Sequence, residues 1–518
     1  MSRPPSRRSV LAATGLASGA LLGSGRGTAV AGATPLENGH GPFVSPASGC
    51  SDEGSGETVS QAWGHAVAEA EFSDLGPDVV ERAKWCLLDC LAVMAYGARQ
   101  PEVDVYLGRA IACGGLQEAR IMPTGHALPM QEAAACNAFL IHAKEIDDND
   151  FRGGYRPSCV AVAPALAVAD WQRSSGRDLL LATSIAYTLT GRLAAMAPNM
   201  QNYGFMPSAI FGAVGGAAAA SRLMKLDADQ TASAIGLATA AGGGLFQYYF
   251  DQTEDKKLHV ARTSRTSVEM AIQASRGFVG PHRAIEGVSG LNAYLQGGTT
   301  RFSAGPLVAD LANWEGPLHI TPKFFAVSAS IGPFLDAFDP VWRASGATAA
   351  DIDHFRIVRE WAPESVAGQK ILSFQRPATI TGAQLDMAFS IALYLVTGDA
   401  GPDSFTEARL AEPSILALAD RAALRQVDVA APFSLEVSLK DGRMVSAPFA
   451  YPRGGGRAQP LMREARLQKI ERLTQGVLTD PGRRQLFDTV MALDQVQDSH
   501  AWMTDVNGLL MLGRSAPH

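Results

Sequence analysis

From Thr58 onward, apolar residues recur at helical spacing through most of the chain. Residues 83–96 put Trp85, Leu88, Leu91, Ala92 and Met94 inside one such stretch. The same pattern predicts helices over 132–146, 160–171, 178–195, 210–226, 229–241 and 267–276. Alanine, glycine and serine dominate many of these segments. Small side chains let helix axes approach closely, so a tightly packed helical array is expected. Around residue 319 the texture changes. Residues 353–361 and 433–437 alternate as strands do, and Lys440-Asp441-Gly442-Arg443 between two strand-like runs signals a hairpin. Residues 402–424 read as helix again. After Gly454-Gly455-Gly456, two more helices are expected at 462–473 and 483–493. The expected fold class is therefore mainly α. A large all-helical domain is built from residues 58–318 and 452–518, with a smaller α+β lid domain, 319–451, inserted. The cleft between them is the natural place for a ligand.

Composition narrows the function. The chain has 518 residues, 47% hydrophobic and 18% charged, as expected of a globular enzyme with a generous core. A net charge of -7 argues against a nucleic-acid partner, whose footprint would be basic. No apolar run reaches membrane-spanning length without charged or polar breaks, so no membrane segment is expected after removal of a signal. Residues 1–33 read as that signal. Arg3, Arg7 and Arg8 precede a weakly hydrophobic run, Ser6-Arg7-Arg8-Ser9-Val10-Leu11 is a twin-arginine pattern, and Ala29-Val30-Ala31 suits cleavage. Export by the twin-arginine route, to the periplasm or outside, is expected. Residues 34–57 then form a linker rich in Gly, Ser, Pro and Glu. The six cysteines, Cys50, Cys86, Cys90, Cys113, Cys136 and Cys159, show no zinc-type spacing and read mostly as small core residues. A bridge between two of them stays open in an oxidising compartment.

Four stretches carry candidate chemistry. His142-Ala143-Lys144-Glu145-Ile146-Asp147-Asp148-Asn149-Asp150 places four carboxylates within six residues at a helix C-terminus, where the dipole disfavours them. Mutual repulsion should raise some of their pKa values; the alternative is a solvated helix end. Phe151-Arg152-Gly153-Gly154-Tyr155-Arg156-Pro157-Ser158 sets two arginines before a new helix. They suit a carboxylate ligand at a helix N-terminus, or simply balance the acids before them. In Lys256-Lys257-Leu258-His259-Val260-Ala261-Arg262-Thr263-Ser264-Arg265, helical spacing puts Lys256, His259 and Thr263 on one face with Arg262 beside them. Cationic neighbours such as Lys257, Arg262 and Arg265 would lower the pKa of Lys256 and make it a better base. His259 would assist proton transfer or cap a backbone group. The alternative is a solvated basic face. Cations inside an apolar region need a negative partner, and the simplest is an anionic substrate. Last, Lys323 in Thr321-Pro322-Lys323-Phe324-Phe325 would close over a substrate from the insert side, or be a solvated loop lysine.

In this order the stretches resemble the MmgE/PrpD family, from about residue 60 to the C-terminus. Ala83-Lys84-Trp85-Cys86-Leu87-Leu88-Asp89, Gly212-Ala213-Val214-Gly215-Gly216, Gly280-Pro281, Glu286-Gly287 and the Asp441-Gly442-Arg443 hairpin complete the set. The resemblance implies a helical domain with a smaller lid domain, a homodimer, and action on small polycarboxylates without metal or organic cofactor. It implies proton transfer next to a carboxylate, with loss of water or carbon dioxide. Lys256 looks like a family active-site lysine, Lys323 like the lysine opening a second motif, and Glu145 stands where the family commonly has aspartate. Departures are several. The family's His-Pro-Ser is Arg156-Pro157-Ser158, its Gly-Phe-His is Gly204-Phe205-Met206, and a threonine is Asn149. A late histidine falls near Ser328, and a tyrosine near Phe389. Arginine does not release its proton at neutral pH and methionine has none to give, so the pocket reads as re-purposed for a larger or less charged substrate.

The expected activity is a cofactor-independent lyase. Lys256 is the base. Glu145, Asp147 or Asp148 donates a proton or handles water, with His259 assisting. Arg156, Lys323, Arg262, Asn149 and Met206 line the substrate site. The alternatives are an isomerase, epimerase or cyclase on the same scaffold, and a non-catalytic carboxylate-binding protein.

Overall fold

The first half of the chain folds as helices α1 (Val59–Glu69), α2 (Pro77–Gly97), α3 (Pro101–Cys113), α4 (Met130–His142), α5 (Ser158–Gln172), α6 (Gly176–Met196), α7 (Pro207–Leu223), α8 (Ala228–Ala241), the one-turn α9 (Tyr248–Asp251) and α10 (Lys256–Ser275). Their ends are written in the sequence. Thr58, Ser175 and Asp227 close capping boxes at α1, α6 and α8. Proline stands in the first turn of α2, α3 and α7, where no amide donor is needed. The computed structural model describes residues 56–198, 200–295, 303–359, 376–426, 433–449 and 462–511. The expected signal and most of the expected linker lie outside the described residues, as do Gly454-Gly455-Gly456.

Helix α7 is the hub, packed on α5, α6, α8 and α10. Three of its glycines make this possible. A Cβ at Gly212 would lie 2.5 Å from the Val160 side chain of α5, and one at Gly215 would lie 2.6 Å from the Ala186 carbonyl of α6. At Gly216 it would lie 2.4 Å from Ser267 Oγ of α10. The small-residue composition thus does what the sequence suggests: it brings α10, which carries Lys256, hard against the helix that carries Ser208.

Beyond α10 the main sheet has its strands in the order Ala422–Gln426, Ile352–Arg359, Ser434–Leu439, Met444–Pro448. Strands β5 (Ile352–Arg359) and β6 (Ala422–Gln426) are parallel, while β7 (Ser434–Leu439) and β8 (Met444–Pro448) form the expected hairpin around Lys440–Arg443. Phe355 faces Val437, which faces Val445, so one buried row crosses the sheet. Helix Gly332–Ser345 packs on β7 and β8 and buries Phe334, Phe338 and Trp342. Two short ladders precede it in the chain: β1 (Ala119–Arg120) with β2 (Ala127–Leu128), and β3 (Asp148–Asn149) with β4 (Thr321–Pro322). The helices Arg463–Thr474 and Asp480–Met491 pack back on α2. The structure is mainly helical, and residues 55–518 form one compact unit.

One expectation is corrected. Residues 402–424 are not one helix. Proline at the first positions of Pro402–Ser404 and Pro413–Ala419 splits them into short turns. The segment then extends as β6, because the open edge of β5 offers a backbone ladder. Among the described residues one helix, α6, is long and apolar enough to cross a bilayer, with Arg177, Asp178 and Arg192 as the expected charged breaks. It is 83% buried within the protein, packed against α7, so its apolar character is that of a core helix.

Replacing Gly215 by alanine should destabilise the fold by about 1–3 kcal/mol, because the Ala186 carbonyl cannot retreat from the added methyl. Gly508, with nothing within 4 Å of a Cβ, should instead gain roughly 0.5–1 kcal/mol from the same change. Thermal melts of the two variants check the contrast; an unchanged melting temperature for Gly215→Ala contradicts it.

Candidate active site

The β3–β4 ladder positions the site. Asp148 lies opposite Pro322 and Asn149 opposite Thr321. Directly after β4 the Lys323 amide donates to the Asp147 carbonyl at 3.2 Å, which sets Lys323 beside the acidic run. Glu145 holds φ at 53°, a left-handed conformation that non-glycine residues seldom adopt and that costs about 1–3 kcal/mol. The surroundings explain why it persists. The Glu145 carboxylate pairs with Lys256 Nζ, takes Lys323 Nζ at 3.1 Å and lies 3.8 Å from Arg156. Lys323 Nζ also donates to the Glu145 backbone carbonyl at 2.8 Å. Asp147 completes the cluster, 3.5 Å from Lys323 and 2.7 Å from His142 Nδ1.

Every member is buried, Lys256 to 3% exposure and Lys323 to 6%. Neither lysine is the solvated side chain that the sequence leaves open. The first anions to balance the cations are internal, Glu145 and Asp147, ahead of the anionic substrate expected as their simplest partner. Burial, then Lys323 and Lys257, push the Lys256 ammonium well below its usual pKa. Its place in the first turn of α10 acts in the same direction, since a helix N-terminus disfavours a cation. Burial and Arg156 bring Lys323 down to about 7. Burial takes His142 down to about 3, so its ring is neutral. Burial pushes Asp147 up, but His142 and Lys323 outweigh it and hold that carboxyl below the usual range.

Asp148 has another task. It accepts from the Ser158 amide at 3.1 Å and from the Ser158 hydroxyl, which also meets Tyr187 at 2.6 Å. It therefore caps α5, and the helix N-terminus expected to receive a ligand is filled by this carboxylate. Burial, with Asp147 nearby, raises Asp148 to about 7. Arg152 binds Asp150 at 3.0 Å, so of the two arginines one balances the acidic run and the other, Arg156, is left for the site.

A cavity of about 350 Å³ opens beside the cluster. Lys256, Arg156 and Met206 line it. Phe151, Phe246, Tyr248, Tyr249 and Leu385 supply an apolar wall, and Gln201, Asn202, Ser208, Ser328 and Ser330 supply neutral polar groups. Arg156 Nε is buried without a hydrogen-bond partner among the described residues. Three positions where the chain departs from the family pattern, Arg156, Met206 and Ser328, thus meet in one cavity, while Phe389 is buried in the core. Glu145 and Lys323 stand behind Lys256 rather than on the wall. Asn149 belongs to the ladder, and Asp148 to the α5 cap.

His259 and Arg262 face a different, polar recess of about 790 Å³, together with Gly242, Gly243, Gly244 and Asp255. Tyr248 lines both spaces. Arg262 Nη2 meets His259 Nδ1 at 2.7 Å, and Asp255 lies 3.2 Å from Nε2. A helix turn advances 100° per residue, so three and six positions beyond Lys256 the side chains have rotated past Tyr248. Arg265 pairs with Glu132 at 2.9 Å and is half-exposed. The cations that depress Lys256 are accordingly Lys323 and Lys257, not Arg262 and Arg265.

His142 was not singled out by its sequence, though its spacing of three to Glu145 and five to Asp147 is the signal that a shared cluster would leave. The aromatic wall left none, because α9 is a single turn without periodicity. His142, Asp147 and Cys159 approach one another closely enough to hold a metal ion. The donor set does not fit one: burial raises the Cys159 thiol well above its usual pKa, and His142 Nδ1 is already taken by Asp147 Oδ2. Among the described residues Cys86, Cys90, Cys113, Cys136 and Cys159 are all free thiols.

Known proteins share this sequence pattern. The MmgE/PrpD N-terminal domain matches residues 61–302 and the MmgE/PrpD C-terminal domain residues 325–495. A cis-aconitate decarboxylase-like protein of Aspergillus oryzae is 24% identical over 86% of this chain and 96% of its own length. A cis-aconitate decarboxylase of Aspergillus terreus is 23% identical over 86% of this chain and 94% of its own. The human cis-aconitate decarboxylase is 25% identical over 46% of this chain and 50% of its own.

Replacing Glu145 by glutamine leaves three buried cations facing Asp147 alone. Loss of about 3–5 kcal/mol of stability is expected, read from urea unfolding at neutral pH. A variant as stable as the parent would show that Glu145 is not their counter-charge.

Proposed function

Because this chain belongs to the MmgE/PrpD family, and with it to lyases of the dehydratase and decarboxylase type, we propose that it needs no cofactor and that Lys256 moves the proton. The observation that carries this reading is a buried amine, held well below its ordinary pKa, on the wall of a cavity that also presents Arg156. Arginine takes a carboxylate through paired N–H donors. With the acid so held, neutral Lys256 removes the proton from the carbon next to the carboxylate or carbonyl. Arg156 faces the charge that grows on the enolate, and Glu145 accepts the new ammonium as an ion-pair partner.

The titratable groups on the wall are Arg156, Tyr248, Tyr249 and Lys256. Burial pushes both tyrosines up, Tyr249 to about 12, and an arginine does not give up its proton at neutral pH. Lys256 therefore both takes and returns the proton. In a dehydration the C–H and C–O bonds break and hydroxide leaves with the proton Lys256 has just gained. In a decarboxylation Lys256 starts instead as the ammonium: the C–C bond breaks, carbon dioxide departs, the carbanion takes the ammonium's proton, and the amine regains one from water. A single acid–base group on one face favours these reactions over an epimerisation, which needs groups on opposite faces. Export through residues 1–33 and assembly as a homodimer are part of the same proposal.

Lys256→Met should abolish turnover while leaving the thermal melt in place; a variant that retains activity removes the proposal. Because the amine must be neutral to act as base, kcat/KM for dehydration should rise with pH through an apparent pKa below 10.5, the ordinary lysine value. Lys323→Met takes away a positive neighbour and leaves Glu145 to Lys256. It should move this limb to higher pH, and a limb that stays put would show that Lys323 does not tune the base.

A further inference from the structure

We propose that the Lys256 cavity selects an acid with one negative charge and an apolar body, aryl or branched alkyl, over a polycarboxylate. This deepens the lyase reading and rests on it.

The first argument is charge. Even with both lysines protonated, Lys256, Lys323 and Arg156 set three cations against the two carboxylates of Glu145 and Asp147, so the cluster carries at most one net positive charge. Nearby cations do not add to it. Lys257 pairs with Glu254 and Glu102, and Lys469 with Asp89 at 2.7 Å. At most one anionic group is matched by the site. A second or third carboxylate would be taken from water into a place with no charge to meet it, which is unfavourable for any buried ion.

The second argument is the wall. Of the cations in the cluster, Lys256 and Arg156 reach the cavity, and Lys256 is shared with Glu145 behind it. Facing them are Phe151, Met206, Phe246, Tyr248 and Leu385. Phe246 packs on Tyr248 and on Tyr249 with ring centroids 5.1 Å apart in each case, so the surface is contiguous and aromatic. At about 350 Å³ the cavity falls in the range of ligand pockets that enclose an apolar body and fix it by a few polar groups. Gln201, Asn202, Ser328 and Ser330 are neutral, suited to a hydroxyl or carbonyl on the ligand rather than to a second anion.

Calorimetric titration of the full chain with 3-phenylpropanoate and with cis-aconitate tests this. The aryl monoacid should bind at least about tenfold tighter. Ser330→Arg, a change at a half-buried wall position, adds a cation and should improve cis-aconitate binding by about tenfold, with a thermal melt to show that it folds. Equal or tighter binding of cis-aconitate by the parent protein, or binding of neither acid, overturns the proposal. Deuterium exchange at the α-carbon, followed by NMR in deuterated water, separates this from the lyase reading. If cis-aconitate binds better and exchanges in a Lys256-dependent manner, only the substrate class fails. If the aryl acid binds but no bound acid exchanges, the class stands and the lyase reading fails.

Discussion

One buried carboxylate organises this protein. Glu145 holds two lysines and approaches an arginine, all withdrawn from water. Removing so many charges from solvent is costly unless they compensate each other. The chain meets the requirement with segments far apart in sequence: the turn after α4, the loop before α5, the first turn of α10, and the residue following β4. The short β3–β4 ladder is the device that brings the last of these to the first. The strained backbone at Glu145 is tolerated because releasing it would undo several buried pairs together.

From that cluster the rest of the site follows. Burial and two neighbouring lysines push the Lys256 amine toward losing its proton while the Glu145 carboxylate stands by to pair with the ammonium, which suits a group that must take and return a proton. Glycines in α7 permit the close packing that fixes α10, and so the position of Lys256, against α5 and α7. Gln252 ties the turn before α10 to the later half of the chain: its side chain accepts from the Ala378 amide at 2.7 Å and its carbonyl accepts from Thr379 at 2.6 Å. Leu385, a wall residue, ends the helix that begins just after this contact, Ile380–Leu385.

Much of the scaffold was legible in the sequence. Period and small-residue content marked the helices and their tight packing, and the Lys440–Arg443 turn marked its hairpin. The site was legible in its charged members, because Lys256, Glu145, Arg156 and Lys323 stand out against apolar surroundings. Three things were not. Helical spacing grouped His259 and Arg262 with Lys256, yet Tyr248, from a one-turn helix without a pattern, lines both of the spaces they face. The acids next to one another in sequence serve different ends, one capping α5 and another orienting His142, which only a fold can decide. And the apolar wall draws its six residues from four segments, Phe151, Met206, 246–249 and Leu385, none of which differs in composition from ordinary core.

The most direct test is to titrate the Lys256 amine itself, by NMR of side-chain Nζ-labelled lysine, assigned through Lys256→Met. The account predicts a midpoint well below the ordinary lysine value in the ligand-free protein, falling further in Glu145→Gln. A midpoint at or above that ordinary value would contradict it.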